Sequence, residues 1–246
     1  MGIGLNTKSI LFDTQYSGAK LGTLVQYGPR TAYHGISVGE PHQMKRPDQV
    51  KTAPDQGMGD RVPPGQFLTT KFPVLTYGPE PKVDIDNWEI RIFGLVEREI
   101  TLNWEQFSAL QWTTTLADFH CVTQWSQLDN TWEGVTFSDL IAPTGPKPEA
   151  KFVMAHCYGG YSTNLPLSLA MDEGMLAHKQ DGDPLGMSHG WPLRLIVPSI
   201  YAWKSAKWVN GIELMANDRP GFWEQRGYHN EGDPWKEERF WPELTK

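Results

Sequence analysis

Short β-prone segments closed off by glycine or proline dominate the chain from residue 62 onward, and they constrain its fold more than any other feature. Residues 88–96 alternate between apolar and polar side chains at their start and predict a strand that ends at Gly94. Further strands are predicted over residues 100–102, 113–119, 151–158, 161–164, 193–198 and 208–215. Only short helices fit between them, so the sequence predicts an α+β domain rather than a doubly wound sheet.

The predicted helices are recognised by the residues that cap them. Asn103 is followed three residues later by Gln106, the spacing of a capping box, and residues 136–141 carry Asp139 at the corresponding position. Residues 166–176 are weakly helical, with proline at the first turn. Turns are predicted over residues 132–135, 159–160 and 180–184.

Charge, hydropathy and cysteine content exclude several classes of protein. The chain of 246 residues has a formal net charge of −7 and scattered basic residues, which argues against nucleic acid as a partner. No stretch approaches the length of a transmembrane helix. The N-terminus shows no charged region followed by an apolar run. The two cysteines would be free thiols or ligands in a cytosolic protein, and could form one disulfide in a secreted protein. These features predict a cytoplasmic protein without a membrane partner.

Residues 1–60 differ in composition from the rest of the chain. Glycine, proline, glutamine and aspartate punctuate them, and residues 40–60 contain almost no apolar side chains. We expect an extended N-terminal arm that lies over the surface of a domain formed by residues 61–246. For residues 40–60, a flexible tail is the alternative interpretation.

Cys121 is the candidate residue with the clearest chemical character. Its thiol follows the apolar, β-prone residues 113–119 and is flanked by His120 on one side and by polar residues on the other. Reactive and metal-binding cysteines often lie at the end of a strand among polar groups. A thiol can also be buried simply as a small hydrophobic group. Two functional interpretations stay open, a nucleophile activated by a histidine and a ligand to a soft metal.

Several common catalytic motifs are missing from the sequence. It contains no Gly-x-Gly-x-x-Gly after a strand, no Walker loop, no His-Glu-x-x-His, no Cys-x-x-Cys and no Gly-x-Ser-x-Gly. Nicotinamide binding in a Rossmann fold, zinc clusters and thioredoxin-like redox chemistry therefore have no support.

A second candidate region combines basic and small residues. Arg194 lies in a predicted strand, and Lys204 and Lys207 follow the turn after it. Ser205 and Ala206 between the two lysines are small enough for close approach of a ligand to the backbone. Such a group suits an anionic phosphate tail. A solvated basic loop is the alternative interpretation of the same residues.

Together these two regions resemble the molybdopterin-binding catalytic domain of the sulfite oxidase family, and in particular its small stand-alone bacterial members. The resemblance covers residues 63–213. It includes Phe-Pro-Val-Leu-Thr-Tyr-Gly at residues 72–78, the Cys-Val-x-x-Trp-Ser run that begins at Cys121, and Trp-x-Gly-Val at residues 132–135. The resemblance implies a mixed-sheet α+β fold with short helices.

The resemblance also implies a molybdenum–molybdopterin cofactor. In this family the pterin dithiolene gives molybdenum two sulfurs and one protein thiolate gives a third, so a single cysteine is sufficient. Cys121 matches that metal ligand. The residues that match cofactor contacts are Leu75, Thr76, Tyr77, Cys157 or His156, His189, Arg194, Ser205, Ala206 and Lys207.

One departure from the family bears on the substrate. Sulfite oxidases carry an arginine a few residues after the ligand cysteine, whereas residues 122–126 contain no cation. We therefore expect weak sulfite oxidation and an uncharged substrate, such as a sulfoxide or an N-oxide. His120 is a candidate proton donor for the reduction of an oxide. The alternative for His120 is a structural hydrogen bond within the loop.

The sequence thus predicts an enzyme, a molybdopterin-dependent oxidoreductase that transfers an oxygen atom to or from a small molecule in a two-electron reaction. No haem-binding pattern is present, so a separate electron donor or acceptor is expected. Two alternatives stay open. One is a cofactor-free thiol enzyme that uses Cys121, and the other is an inactive protein that only binds the cofactor.

Overall fold

The computed structural model describes residues 59–241. Its strands are β1 (Phe67–Leu68), β2 (Glu89–Gly94), β3 (Ile100–Asn103), β4 (Thr113–His120), β5 (Trp125–Thr136), β6 (Phe152–Cys157), β7 (Ser162–Pro166), β8 (Met175–Gln180), β9 (Asp183–Pro184), β10 (Arg194–Ile196) and β11 (Val209–Met215). Its α-helices are α1 (Trp104–Ser108), α2 (Phe137–Ile141) and α3 (Leu167–Glu173). Apart from residues 59 and 60, the predicted N-terminal arm lies outside the described residues. None of the described helices has the length and hydropathy needed to cross a membrane.

The strands form two sheets. In the first sheet the order is β1-β5-β8-β10, with β4 also paired to β5 and β9 paired to β8. The second sheet has the order β3-β2-β11-β6-β7. Most pairs are antiparallel, whereas β1 with β5 and β2 with β11 are parallel. Both sheets are therefore mixed, and with the three short helices they confirm the predicted α+β class.

Two apolar clusters fill the described part of the chain. The larger cluster contains alternate residues of β2 and β11, and Ile90, Ile92, Ile212 and Leu214 are buried because a strand points every second side chain to the same face. The smaller cluster consists of Phe119, Cys121, Trp125, Trp132, Met175, Ala177, Leu185 and Ile196. Within this smaller cluster, Cys121 packs against apolar side chains.

The prediction of a turn at residues 132–135 is wrong. These residues lie inside β5, a strand of 12 residues that pairs with both β4 and β8. Gly134 is required there because β8 passes very close to it, and a Cβ atom at this position would lie 2.1 Å from the carbonyl oxygen of Leu176. This glycine therefore marks the close approach of two backbones rather than a turn.

The helical prediction for residues 166–176 is correct only in its first part. Helix α3 ends at Glu173, and the Gly174 N–H donates to the Ala170 carbonyl at 2.9 Å. Strand β8 then begins at Met175. Because its first three residues are all buried, the segment lacks the alternating pattern that reveals a half-exposed strand.

The capping predictions are confirmed. Asn103 and Gln106 form a reciprocal capping box at the start of α1. At the start of α2, the Asp139 N–H donates to Thr136 Oγ1 at 3.1 Å. The predicted strands over residues 88–96, 100–102, 113–119, 151–158, 161–164, 193–198 and 208–215 correspond to β2, β3, β4, β6, β7, β10 and β11.

A buried ion pair anchors the C-terminal segment (residues 218–241). Lys204 Nζ lies 2.7 Å from Glu224 Oε1, and both side chains are almost fully buried. The same carboxylate oxygen accepts hydrogen bonds from Trp203 Nε1 at 2.8 Å and from Thr163 Oγ1 at 3.3 Å. The pair ties the C-terminal segment to the loop between β10 and β11.

Candidate functional site

Cys121 begins the tight loop that joins β4 to β5. Its N–H donates to the Trp125 carbonyl at 2.8 Å, and the Gln124 N–H donates to the Cys121 carbonyl at 3.0 Å. Gln124 adopts a φ of 75°, the left-handed conformation that lets the loop close over residues 121–124. The predicted position of the thiol at the end of a strand is therefore confirmed.

The Cys121 thiol is buried and lies beside polar as well as apolar groups. Only 5 % of the residue is exposed, and Sγ lies 3.1 Å from Thr123 Oγ1. Burial raises the pKa of the thiol, although the Thr123 hydrogen bond and the charges of Arg194 and Arg239 act in the opposite direction. In the described part of the chain, no histidine nitrogen forms a hydrogen bond with Sγ. Such a thiol is a weak nucleophile but suits a soft metal ion, because metal binding itself releases the proton.

His120 immediately precedes the thiol, and its ring is held within the same hairpin. Nδ1 lies 2.9 Å from Ser126 Oγ, and the ring meets Trp235 edge-on at a centroid distance of 6.2 Å. Burial lowers the pKa of His120, opposed by the charge of Asp118. Burial therefore favours the neutral form of the ring. This geometry includes the structural hydrogen bond that the sequence allowed, and the role of proton donor stays a hypothesis.

The backbone brings Arg194 and Lys207 side by side. Arg194 begins β10 and forms an antiparallel bridge with Lys207 of the following loop. Next to this bridge, the Leu195 N–H donates to the Ala206 carbonyl at 2.8 Å. Residues that face each other across an antiparallel pair project to the same side, so the two cations become neighbours.

The guanidinium group of Arg194 is buried without full hydrogen bonding. It lies over the rings of Phe72 and Phe119, with its central carbon 5.4 and 4.8 Å from their centroids. Nη1 donates to the His189 carbonyl at 3.2 Å, whereas Nε is buried without a hydrogen-bond partner. Burial lowers the pKa of Arg194 to about 10. An anion beside this group would satisfy Nε and favour the charged form.

The ammonium group of Lys207 is surrounded by uncharged oxygen atoms. Nζ donates to the carbonyls of Leu75 and Ser188, at 2.9 and 2.8 Å, and to Thr76 Oγ1 at 2.5 Å. Burial and the neighbouring charge of Arg194 lower the pKa of Lys207 to about 8. Two of the residues predicted to contact the pterin, Leu75 and Thr76, are therefore brought to Lys207.

No ion pair joins Arg194 or Lys207 to an aspartate or glutamate among residues 59–241. Arg194 is buried and Lys207 is half-buried, and two such neighbouring cations are unfavourable unless an anion joins them. The phosphate of molybdopterin would supply that anion. The oxygen and nitrogen atoms of the pterin ring would supply a hydrogen-bond partner for Arg194 Nε. The residues present therefore fit the cofactor that the resemblance implies.

Three other residues predicted to contact the cofactor, His189, Ser205 and Ala206, lie close in sequence to Arg194 or Lys207. His189 is partly buried, and its Nε2 lies 3.2 Å from the Phe72 carbonyl. Ser205 Oγ accepts a hydrogen bond from the Val197 N–H at 3.0 Å, and Ala206 is buried. The side chains of His189 and Ser205 thus contact backbone groups of neighbouring segments. Contact of these residues with a pterin stays a prediction.

The remaining predicted contacts have different surroundings. Tyr77 is 67 % exposed, and its ring packs on two aromatic rings of the C-terminal segment. Cys157 is buried in the larger apolar cluster, where burial raises its pKa well above the usual range. His156, the alternative to Cys157, lies with Nε2 at 2.9 Å from Glu213 Oε2. Their roles toward the cofactor stay predictions.

Two polar side chains contact the thiol-bearing loop from distant parts of the sequence. Gln66 Nε2 donates to the Cys121 carbonyl at 3.1 Å. Arg239 Nη1 donates to the Val122 carbonyl at 2.6 Å, across a separation of 117 positions. Sequence reasoning misses both residues because no local motif links them to Cys121. The loop itself contains no cation at residues 122–126, but the C-terminal segment brings one to it.

The chain is similar in sequence to a known protein family. The family model described as the oxidoreductase molybdopterin binding domain matches residues 77–223. A protein of Bacillus subtilis (strain 168), the uncharacterized oxidoreductase YuiH, is 45 % identical over 182 residues, which cover 73 % of this chain and 92 % of that protein.

More distant similarity extends to larger proteins. The nitrate reductase [NADPH] of Emericella nidulans is 33 % identical over 186 residues, which cover 63 % of this chain but 21 % of that protein. The putative protein-methionine-sulfoxide reductase subunit YedZ1 of Azospira oryzae is 25 % identical over 170 residues, which cover 68 % of this chain and 64 % of that protein.

A solved structure is also similar in fold. The crystal structure of the sulfane dehydrogenase SoxCD from Paracoccus pantotrophus matches with a TM-score of 0.54 and 25 % sequence identity, over 60 % of this chain and 42 % of that chain. The family match covers more than half of the sequence and includes the thiol and both cations described above. The chain therefore belongs to the oxidoreductase molybdopterin-binding domain family and is an oxidoreductase of the sulfite oxidase type.

Proposed function

We propose that this protein is a molybdenum–molybdopterin enzyme that catalyses two-electron oxygen-atom transfer on a small molecule. The observation that carries the proposal is the buried Cys121 thiol near the buried Arg194, whose half-buried neighbour Lys207 also has no carboxylate partner in the described part of the chain. A metal bound to a phosphorylated pterin requires a soft protein ligand, which Cys121 can supply, and a nearby group that binds an anion, which Arg194 and Lys207 can form; we call these two cations the Arg194 cradle. When bound, the cofactor would supply the two-electron redox chemistry.

The residues of the site divide the remaining tasks. Cys121 binds the metal through its thiolate, which the positive charges of Arg194 and Arg239 favour over the neutral thiol. Arg194 and Lys207 hold the anionic part of the pterin. The apolar residues of the smaller cluster exclude water from one side of the thiol. His120 is the proposed proton donor, and because burial lowers its pKa and favours the neutral ring, it would take up a proton from solvent before donating one.

We further propose that the substrate contains an S–O or N–O bond, as in a sulfoxide or an N-oxide. When a sulfoxide is reduced, it takes up two electrons and two protons, its S–O bond breaks, and a thioether and one water molecule leave. The electrons come from a separate donor protein or small carrier, in the cytoplasm. The names of two relatives, a putative methionine-sulfoxide reductase subunit and a nitrate reductase, support these two bond types.

Turnover by protein from molybdate-supplemented cells tests this function. We expect bound molybdenum and reduction of dimethyl sulfoxide or trimethylamine N-oxide with a reduced dye as donor, and sulfite oxidation with an electron acceptor is measured on the same protein. Protein without molybdenum would contradict the cofactor. Efficient sulfite oxidation without oxide reduction would contradict the proposed substrate, and molybdenum without any turnover would favour the inactive cofactor-binding alternative.

Arg194→Ala is expected to lose the cofactor more than it loses turnover per bound molybdenum. Removing a charged hydrogen-bonding partner from a partly buried anion costs about 2–5 kcal/mol. Elemental analysis should therefore find a small fraction of the wild-type molybdenum per mole of purified protein. Arg226→Ala is the matched control, because Arg226 is exposed and its guanidinium lies over the ring of Phe222. An unchanged molybdenum-to-protein ratio in Arg194→Ala would argue against this role.

A further inference from the structure

The C-terminal segment reaches the thiol-bearing hairpin through Arg239. Its Nη1 donates to the carbonyl of Val122, the residue after the thiol, and its central carbon lies 5.0 Å from the ring centroid of Tyr201. The side chain is 13 % exposed, and its charge acts on the Cys121 thiol. Cys121 is thus influenced by two arginines, of which only Arg194 belongs to the predicted pterin cradle.

Three polar atoms beside this hairpin are buried and lack a hydrogen-bond partner. They are Arg239 Nη2, the Tyr201 hydroxyl oxygen and Gln66 Oε1. Glu237 does not satisfy the guanidinium, because its carboxylate oxygen lies 3.7 Å from Nη2 and its side chain is half exposed. The Tyr201 hydroxyl lies near Gln66 without a well-formed hydrogen bond. An unpaired buried donor is unfavourable, and an acceptor oxygen beside this hairpin would satisfy both Arg239 Nη2 and the Tyr201 hydroxyl.

We propose that Arg239 and Tyr201 bind the substrate oxygen, so that the C-terminal segment helps to determine which substrate binds beside Cys121. This inference rests on the proposed oxygen-transfer function. Guanidinium N–H and phenol O–H groups both donate, so the ligand they share is an acceptor oxygen with negative charge. A dipolar S–O or N–O bond carries such an oxygen, and so does a small oxyanion. Since the family match ends at residue 223, Arg239 lies in a part of the chain that the family model does not describe.

The C-terminal segment fixes these two donors before a ligand arrives. The Tyr201 N–H donates to the Gly232 carbonyl at 2.8 Å, and the His229 N–H donates to the Arg239 carbonyl at 3.2 Å. Tyr201 is fully buried, and its ring stacks on Trp203 at a centroid distance of 5.5 Å. Donors held in this way bind an oxygen atom without first losing side-chain freedom.

Calorimetric titration of the molybdenum-loaded protein with two non-reacting ligands tests the proposal. Dimethyl sulfone offers uncharged S–O bonds and sulfate offers an oxyanion, while the cofactor itself occupies the Arg194 cradle. We expect at least one ligand to bind, and Arg239→Gln to weaken that ligand at least about tenfold, as for the loss of a hydrogen bond to a charged group. The ligand that is affected shows which of the two oxygen sources the pocket accepts.

Tyr201→Phe is the second variant, and it does not disturb the loop contact made by Arg239. It removes only a hydroxyl that has no partner, so the same ligand should weaken about threefold or more while the melting temperature stays unchanged. Arg226→Gln is the control, since Arg226 also donates to a backbone carbonyl in the C-terminal segment but lies on the surface. It should leave binding unchanged.

Two outcomes overturn the proposal. One is wild-type protein that binds neither ligand, and the other is wild-type affinity for both ligands in Arg239→Gln or, if that variant does not fold, in Tyr201→Phe. Because the titration needs no turnover, it reports on Arg239 independently of the oxide assay. A negative oxide assay with intact ligand binding would contradict the proposed function, whereas the titration would still show that Arg239 binds an acceptor oxygen.

Discussion

Cys121→Ser is expected to abolish oxygen-atom transfer while the fold stays intact. A hydroxyl is a hard and poorly ionised substitute for a thiolate. Because the loss of groups that merely orient metal ligands already costs 10- to 100-fold, we expect turnover per bound molybdenum to fall at least about 100-fold. The substitution is nearly isosteric and can keep the contact that Cys121 makes with Thr123 Oγ1. Steady-state reduction of an oxide, normalised to molybdenum content, is the measurement.

The second free cysteine provides the control for this experiment. Cys157 lies in the larger apolar cluster, where its sulfur is surrounded by core side chains. Cys157→Ala should keep the wild-type absorption spectrum of the metal, because we expect Cys121 to be the sole protein ligand. Full activity in Cys121→Ser would refute the metal-binding role of that residue.

Lys204→Met is expected to destabilise the fold strongly. It leaves the Glu224 carboxylate buried without the ammonium group that lies 2.7 Å from it. Breaking a buried ion pair by removing one partner costs about 3–5 kcal/mol, because the remaining charge is uncompensated. For a domain of this size, such a loss lowers the melting temperature by roughly 6–20 °C. Thermal unfolding followed by circular dichroism is the measurement.

An exposed ion pair in the same C-terminal segment serves as the control. Lys236 Nζ lies 3.1 Å from Asp233 Oδ2, but the lysine side chain is 64 % exposed. Lys236→Met should therefore change the stability by less than about 1 kcal/mol. The double variant Lys204→Met with Glu224→Gln should recover part of the loss, since it no longer buries a lone charge. A melting temperature of Lys204→Met equal to that of the wild type would contradict the stabilising role of the pair.

Much of the thiol side of the site can be predicted from the sequence. The β-prone residues 113–119 run directly into polar residues, and this local change of pattern locates the hairpin loop and its cysteine. Arg194 and Lys207 can be paired because the strand and the loop that carry them are neighbours in sequence. These features can be predicted because the residues that form them lie close together in the sequence.

What the sequence does not reveal depends on contacts between distant segments. Gly134 resembles a turn residue, but it is required by the passage of β8 beside β5, about 40 positions further along the chain. Arg239 lies in a segment without periodicity, and only the folded chain places it on the Val122 carbonyl. The expectation that no cation lies beside Cys121 considers only residues 122–126. The folded chain brings Arg239 of the C-terminal segment to the same loop, and the local sequence contains no sign of this contact.

X-ray absorption at the molybdenum edge tests most directly whether this chain holds a molybdenum–pterin cofactor through Cys121. The measurement counts the sulfur atoms bound to the metal in the purified wild-type protein and in Cys121→Ser. We predict molybdenum in both proteins, because Arg194 and Lys207 retain the pterin, with one sulfur neighbour fewer in the variant. The same number of sulfur neighbours in both proteins, or wild-type protein without molybdenum, would contradict this role of Cys121.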